Sequence, residues 1–137
     1  SDLPFTLGHT NMWTNNILFS KKEKSEELQL LAFIDWQNTS VCNPLLDVVS
    51  VIGINMNAND RRKHEREILQ HYIDEMKKRS HRFKKKFPID TVEKLLPEYR
   101  KTLRFAALQL LMFVPSEKTE ELGVLTQRFI RILEDIV

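Results

Sequence analysis

His9-Thr10-Asn11-Met12-Trp13-Thr14-Asn15-Asn16, followed down the chain by Phe33-Ile34-Asp35-Trp36-Gln37, is the pair of stretches on which the reading of this sequence turns. An Asn amide oxygen and an Asp carboxylate are hard oxygen donors of the kind that suit Mg²⁺ held on nucleotide phosphates. Asn16 stands directly before the apolar run Ile17-Leu18-Phe19, and Asp35 closes a second run, Leu28 to Ile34. The charged segment Ser20 to Glu27 lies between them. That pattern predicts a β-hairpin with a solvated tip. Its open end sets Asn16 and Asp35 side by side, as two ligands of one cation require.

Outward from the hairpin the chain changes character. Residues 1–16, with Pro4, Gly8 and no regular period, are expected to be loop. Asn43 and Pro44 predict the cap and first turn of a helix over 44–56, since Pro lacks an N–H where a helix start leaves one unpaired. Asp60 is expected to cap a second helix, about 61–83, with Ile68, Leu69, Tyr72, Ile73 and Met76 on one face. Asp90 or Thr91 should start a short helix that Pro97 ends or kinks. Leu103, Ala106, Ala107, Leu110 and Leu111 then recur at helical spacing, and Ser116 is expected to open a last helix striped by Leu122, Leu125, Phe129, Ile132, Leu133 and Ile136. The fold class expected is α+β and mostly α. A loop and metal-site hairpin over 1–43 leads into a helical subdomain over 44–137, the whole forming a single domain.

The bulk composition narrows the function classes. The chain has 137 residues, 42% hydrophobic and 29% charged, which suits one globular domain with a modest core. A net charge of +2 gives no reason to expect a nucleic-acid partner. The apolar run Ala106 to Val114 is far shorter than the roughly 20 residues of a membrane span, so no membrane partner is expected either. The lone cysteine, Cys42, rules out an internal disulfide and fits a reducing, cytoplasmic setting. The basic run Lys77 to Lys86 reads as a solvated helix end, its charges suited to the helix dipole. His64 and His71 share a helix face without a third ligand for zinc.

The stretches Leu7-Gly8-His9-Thr10-Asn11-Met12-Trp13-Thr14-Asn15-Asn16-Ile17-Leu18-Phe19, Phe33-Ile34-Asp35-Trp36-Gln37 and Asn43-Pro44-Leu45-Leu46-Asp47 resemble the ecdysteroid kinase-like, or CHK kinase-like, proteins. These are relatives of the choline kinases and aminoglycoside phosphotransferases. The resemblance implies the C-lobe of a protein-kinase-like fold and ATP-dependent phosphorylation of a hydroxyl on a small molecule. By position, Asn16 and Asp35 would be Mg²⁺ ligands and His9 a structural residue beneath the catalytic loop. Asp47 would brace that loop, and Trp13 would line the acceptor pocket.

Three departures qualify what the resemblance implies. Asn11 stands where the family carries its catalytic Asp, and an amide cannot take a proton near neutral pH. Thr10 replaces a usual Gly, so a backbone geometry that Gly adopts easily would be strained there. Gly8, Gly53 and Gly123 are too far apart to form a phosphate-covering loop, and the N-lobe is expected to be absent. The chain is therefore expected to be inactive as it stands, or to serve as a pseudokinase that binds or scaffolds without chemistry. Self-association, or a partner replacing the N-lobe, is expected around Leu3, Phe5, Trp13 and Trp36.

Overall fold

The two apolar runs that flank the charged segment pair as strands, as expected, and the tip, residues 22–26, lies outside the described residues. In the computed structural model, which describes residues 3–21, 27–82, 86–113 and 119–136, strand β2 (Ile17–Lys21) pairs antiparallel with β3 (Leu28–Phe33). Ile17 sits opposite Phe33, and the register slips between Leu18 and Phe19. Beside this hairpin lies a second two-stranded antiparallel sheet, β1 (Thr6–Gly8) with β4 (Ser40–Cys42). The loop expected over 1–16 is thus broken by a strand. Three-residue strands carry no period to read, and β1 finds its partner only when Gly8 meets Ser40 across the fold.

The remainder is helical, which makes the chain α+β and mostly α. Asn43 closes the turn that leads into the first helix instead of capping it: its Oδ1 accepts the Leu45 N–H at 2.9 Å and its carbonyl the Leu46 N–H at 3.0 Å, and Leu45 holds the cap position. The helix it starts is shorter and less regular than expected. Helix α1 (Leu46–Ser50) passes into a π-helical turn, Val51–Asn55.

Helix α2 (Ala58–Arg82) is capped by Asn57 rather than Asp60. The Asn57 Oδ1 accepts the Asp60 N–H at 2.9 Å, and its Nδ2 donates to the Asp60 carboxylate at 2.6 Å. Both residue types cap well, so the choice falls to the one sited where the chain leaves the π turn. Helix α3 (Val92–Phe113) starts at Thr91 and runs unbroken through Pro97. Pro97 sits exposed in the second turn, where water can serve the carbonyl it leaves without a donor. Helix α4 (Thr119–Ile136) turns Leu125, Phe129, Ile132 and Ile136 of the expected stripe to the core, while Leu133 is exposed; Ser116 lies outside the described residues.

The core gathers where these helices cross. Leu45, Val49, Ile52, Leu69, Ile73, Leu95, Tyr99, Leu103, Leu110 and Ile132 are all fully buried. Leu3 is buried with them, and Trp13 packs half-buried against the cluster, so neither belongs to the exposed face expected of them. Arg61, 1% exposed, clamps α2 to α4 through Asp135 and the Arg131 carbonyl. The sheets, by contrast, stay open to solvent. Phe5, Leu7 and Val41 are each about 70% exposed, and Leu28, Leu31 and Trp36 are exposed as well.

Gly53 marks the tightest crossing. A Cβ there would stand 2.8 Å from the Ala106 Cβ, which the α3 backbone holds in place. Around Gly123, in α4, a Cβ would meet nothing within 4 Å. Gly53→Ala is expected to destabilise the fold by about 1–3 kcal/mol through overpacking. Gly123→Ala should stabilise it by about 0.5–1 kcal/mol through reduced backbone entropy. Urea unfolding of the two variants checks both signs.

Candidate functional site

The loop from His9 to Asn16 is built around a carboxylate in α1. Asp47 Oδ2 accepts the His9 N–H and Oδ1 the Thr10 N–H, each at 2.7 Å. Thr10 has φ of 60°, the left-handed region that a β-branched residue enters at a cost of about 1–2 kcal/mol. Two charge-assisted hydrogen bonds at about 1.5–3 kcal/mol each outweigh that strain. The Thr10 hydroxyl also donates to the Asn38 carbonyl. The strain expected from Thr at a usual Gly position is present.

His9 lies 3% exposed under the loop. Its Nε2 donates to the Ile34 carbonyl at 2.8 Å, which leaves Nδ1 to accept the Asn11 N–H at 3.3 Å. That pair of bonds assigns the tautomer with the proton on Nε2. The ring lies 4.6 Å from that of Trp36, centroid to centroid, tilted by 57°. Gly8 keeps this corner narrow, for a Cβ there would come 2.4 Å from the Cys42 Sγ. Burial, and then the Asp47 charge, push the Cys42 thiol above its ordinary range despite an opposing hydrogen bond from the Gly8 backbone.

The hairpin brings Asn16 and Asp35 together at its open end. The Ile34 N–H donates to the Asn16 carbonyl at 3.0 Å, and Asn16 Nδ2 lies 3.5 Å from Asp35 Oδ2. Asn16 Nδ2 also donates to the Asn11 carbonyl at 2.8 Å, an orientation that leaves Oδ1 as the atom to offer a cation. Asp35, like Thr10, is left-handed, with φ of 63°. One neutral and one anionic oxygen fit Mg²⁺, which retains its waters and completes its shell with phosphate oxygens. Asn11 Nδ2 donates directly to Asp35 Oδ2 at 2.8 Å. Among the described residues, no three His, Cys, Asp or Glu side chains gather to hold a metal, and His64 turns instead to Glu67.

Residues 4–85, more than half the chain, match the sequence model of the Ecdysteroid kinase-like family. The chain belongs to that family. The match spans His9 through Asp47 and all of α2, and membership relates the chain to kinase-like phosphotransferases. No curated protein and no solved structure matches it.

Family motifs do not mark every residue that holds the loop. Asn55 Oδ1, at the end of the π turn, accepts the Thr14 N–H at 2.7 Å and the Thr14 hydroxyl. Gln109, in α3 and beyond the matched residues, donates from Nε2 to the Thr10 carbonyl at 3.3 Å. Its Oε1 accepts from the buried Ser50 hydroxyl at 2.7 Å. A lone polar residue within the apolar run Phe105 to Leu111 was the available signal for Gln109. The basic run does less than its charge suggests. Lys77 bonds the Asp90 carbonyl, and Lys78 and Arg79 pair with Glu75. Phe83, Lys84 and Lys85 lie outside the described residues.

Restoring a carboxylate at position 11 would set two negative charges about 3 Å apart, which costs roughly 1.5 kcal/mol even at the dielectric of water. Asn11→Asp is therefore expected to lower stability by about 1–2 kcal/mol in chelator, with the loss recovered in Mg²⁺. Thermal unfolding with and without Mg²⁺ measures both. A variant as stable as the parent in chelator would show that the two side chains do not meet.

Proposed function

We propose that this chain is the C-lobe of a kinase-like fold from the choline kinase and aminoglycoside phosphotransferase relatives, built to phosphorylate a small-molecule alcohol but unable to do so as it stands. The observation that carries the reading is the 2.8 Å bond from Asn11 to Asp35. The residue positioned to meet the acceptor hydroxyl is an amide, and it spends its donor on the metal-binding carboxylate. Asn16 and Asp35 would hold Mg²⁺ on the phosphates of ATP, and that ion, when bound, supplies neutralisation of phosphate charge. His9 and Asp47 fix the loop, while Trp13 borders the acceptor. Losing general-base assistance costs about 10²–10⁴-fold in rate.

The same bond favours a second reading, a pseudokinase that uses its pocket to bind or scaffold. An Asp35 carboxylate capped by an amide has less need of a cation than a bare one. Exposed Phe5, Leu7, Trp36 and Val41 form the apolar face through which such a module would self-associate or meet a partner lobe.

Labelled ATP with Mg²⁺ and a panel of alcohols should give no transfer above the background of Asp35→Ala. Transfer above that background overturns the inactive reading. Mn²⁺ titration followed by paramagnetic broadening is expected to show weak binding that Asp35→Ala abolishes. Binding that survives Asp35→Ala, or that needs His64 and His71, overturns the metal assignment.

Sedimentation velocity should reveal association that grows with concentration and weakens in a Phe5→Ser, Trp36→Ser double variant. A monomer at every concentration would remove the docking role.

A further inference from the structure

Asn57 ends its chain segment by capping α2, and Gly123 leaves the facing side of α4 without a side chain. Between them opens a cleft of about 650 Å³, within the usual range for a small-molecule site. Its lining includes Ala58, Asn59, Arg62, Gly123, Arg128 and Arg131, and among the described residues no carboxylate lines it. None of the loop residues around Asn11 and Asp35 takes part in it. Three guanidiniums around one cleft are an unusual way to surround water.

Arg128 is the telling member. It is half-buried, and its Nη1 donates to the Ile54 carbonyl. Its Nε is buried with no hydrogen-bond partner, and among the described residues no carboxylate pairs with it. Burial alone pushes its pKa below the ordinary arginine value. A buried N–H donor left unsatisfied is unfavourable, and an anionic oxygen reaching it would relieve that cost. Arg62 is held by Asp135 and Glu134, and Arg131 by Glu134. Those two carboxylates fix both forks from α4 and leave each guanidinium further N–H groups.

The first turn of α2 adds donors of its own. Asn57 takes up the Asp60 N–H, and the Arg61 N–H bonds the Asn57 carbonyl, so the amides of Ala58 and Asn59 remain at the positive end of a long helix. Planar guanidinium forks and helix-start amides together match the oxygens of a phosphate group better than those of a single halide or a neutral alcohol. We infer that the cleft between the start of α2 and α4 binds a small soluble molecule bearing a phosphomonoester. The site is independent of the Asn16–Asp35 pair and of any activity there.

The test uses the whole chain without divalent cations, titrated with inorganic phosphate and with glycerol 3-phosphate. Saturable shifts are expected at the Ala58, Asn59 and Gly123 amides by NMR, with matching heats by calorimetry. Arg128→Ala should weaken binding about tenfold or more. Because Arg128 also supports the Ile54 carbonyl, Arg131→Gln, at a half-exposed side chain, gives a second variant that should weaken binding without unfolding risk. Asp35→Ala should leave the affinity unchanged. The proposal is overturned by an absence of saturable shifts, by shifts centred on Thr10 and Asn16, or by binding undiminished in both arginine variants. A response only to vesicles containing phosphatidic acid overturns it equally, by moving the ligand to a lipid surface.

Discussion

The two oxygens of Asp47 hold this structure's chemistry in place. They take the consecutive N–H groups of His9 and Thr10 and so fix a backbone bend that Thr10 would not adopt alone. Once that bend is set, His9 reaches the Ile34 carbonyl beneath the hairpin, and Asn11 is turned toward Asp35. Neutralising Asp47 would weaken both bonds together, because each owes its strength to the carboxylate charge. The strain at Thr10 and the charge at Asp47 are therefore two halves of one arrangement.

One support of the loop, Gln109, lies further along the chain than the family match reaches. Asn55 anchors Thr14, and the Ser50–Gln109 pair carries the Thr10 carbonyl into α3. The helices consequently do more than bury apolar surface. Their inward polar residues hold the loop at four backbone groups: the His9 and Thr10 amides, the Thr10 carbonyl and the Thr14 amide. Hydrogen bonds of this kind are each worth only about a kcal/mol net, yet an unmade one in a buried setting costs more than its making gains.

How much of this could be read beforehand depended on whether the signal was local. The hairpin was legible because apolar runs flank a charged tip, and the pairing of Asn16 with Asp35 followed from it. The left-handed Thr10 was legible only through the resemblance, since nothing in a lone Thr indicates positive φ. The β1–β4 sheet was not legible, for Thr6–Gly8 and Ser40–Cys42 are too short to show a period and too distant to suggest each other. Pro97 misled in the opposite direction. Its ring argues for a break, but an exposed position early in α3 let the helix absorb it. The choice of Asn57 over Asp60 as cap, and the inward aim of Gln109, were decided by tertiary position alone.

The π turn at Val51–Asn55 gives the chain an unusual sensitivity to length. A π turn is an α-helix carrying one residue too many, and such turns arise by insertion and heal by deletion. Losing any one residue between Ser50 and Met56 would let α1 continue as regular helix, with its backbone bonds improved. Everything beyond would then shift phase by about 100°, one residue's share of a 3.6-residue turn. Asn55 would swing away from Thr14, Arg128 would lose the Ile54 carbonyl, and the Asn57 cap would face elsewhere. The segment is thus constrained in count as well as in identity, since a deletion that tidies the helix would uncouple the loop from the bundle.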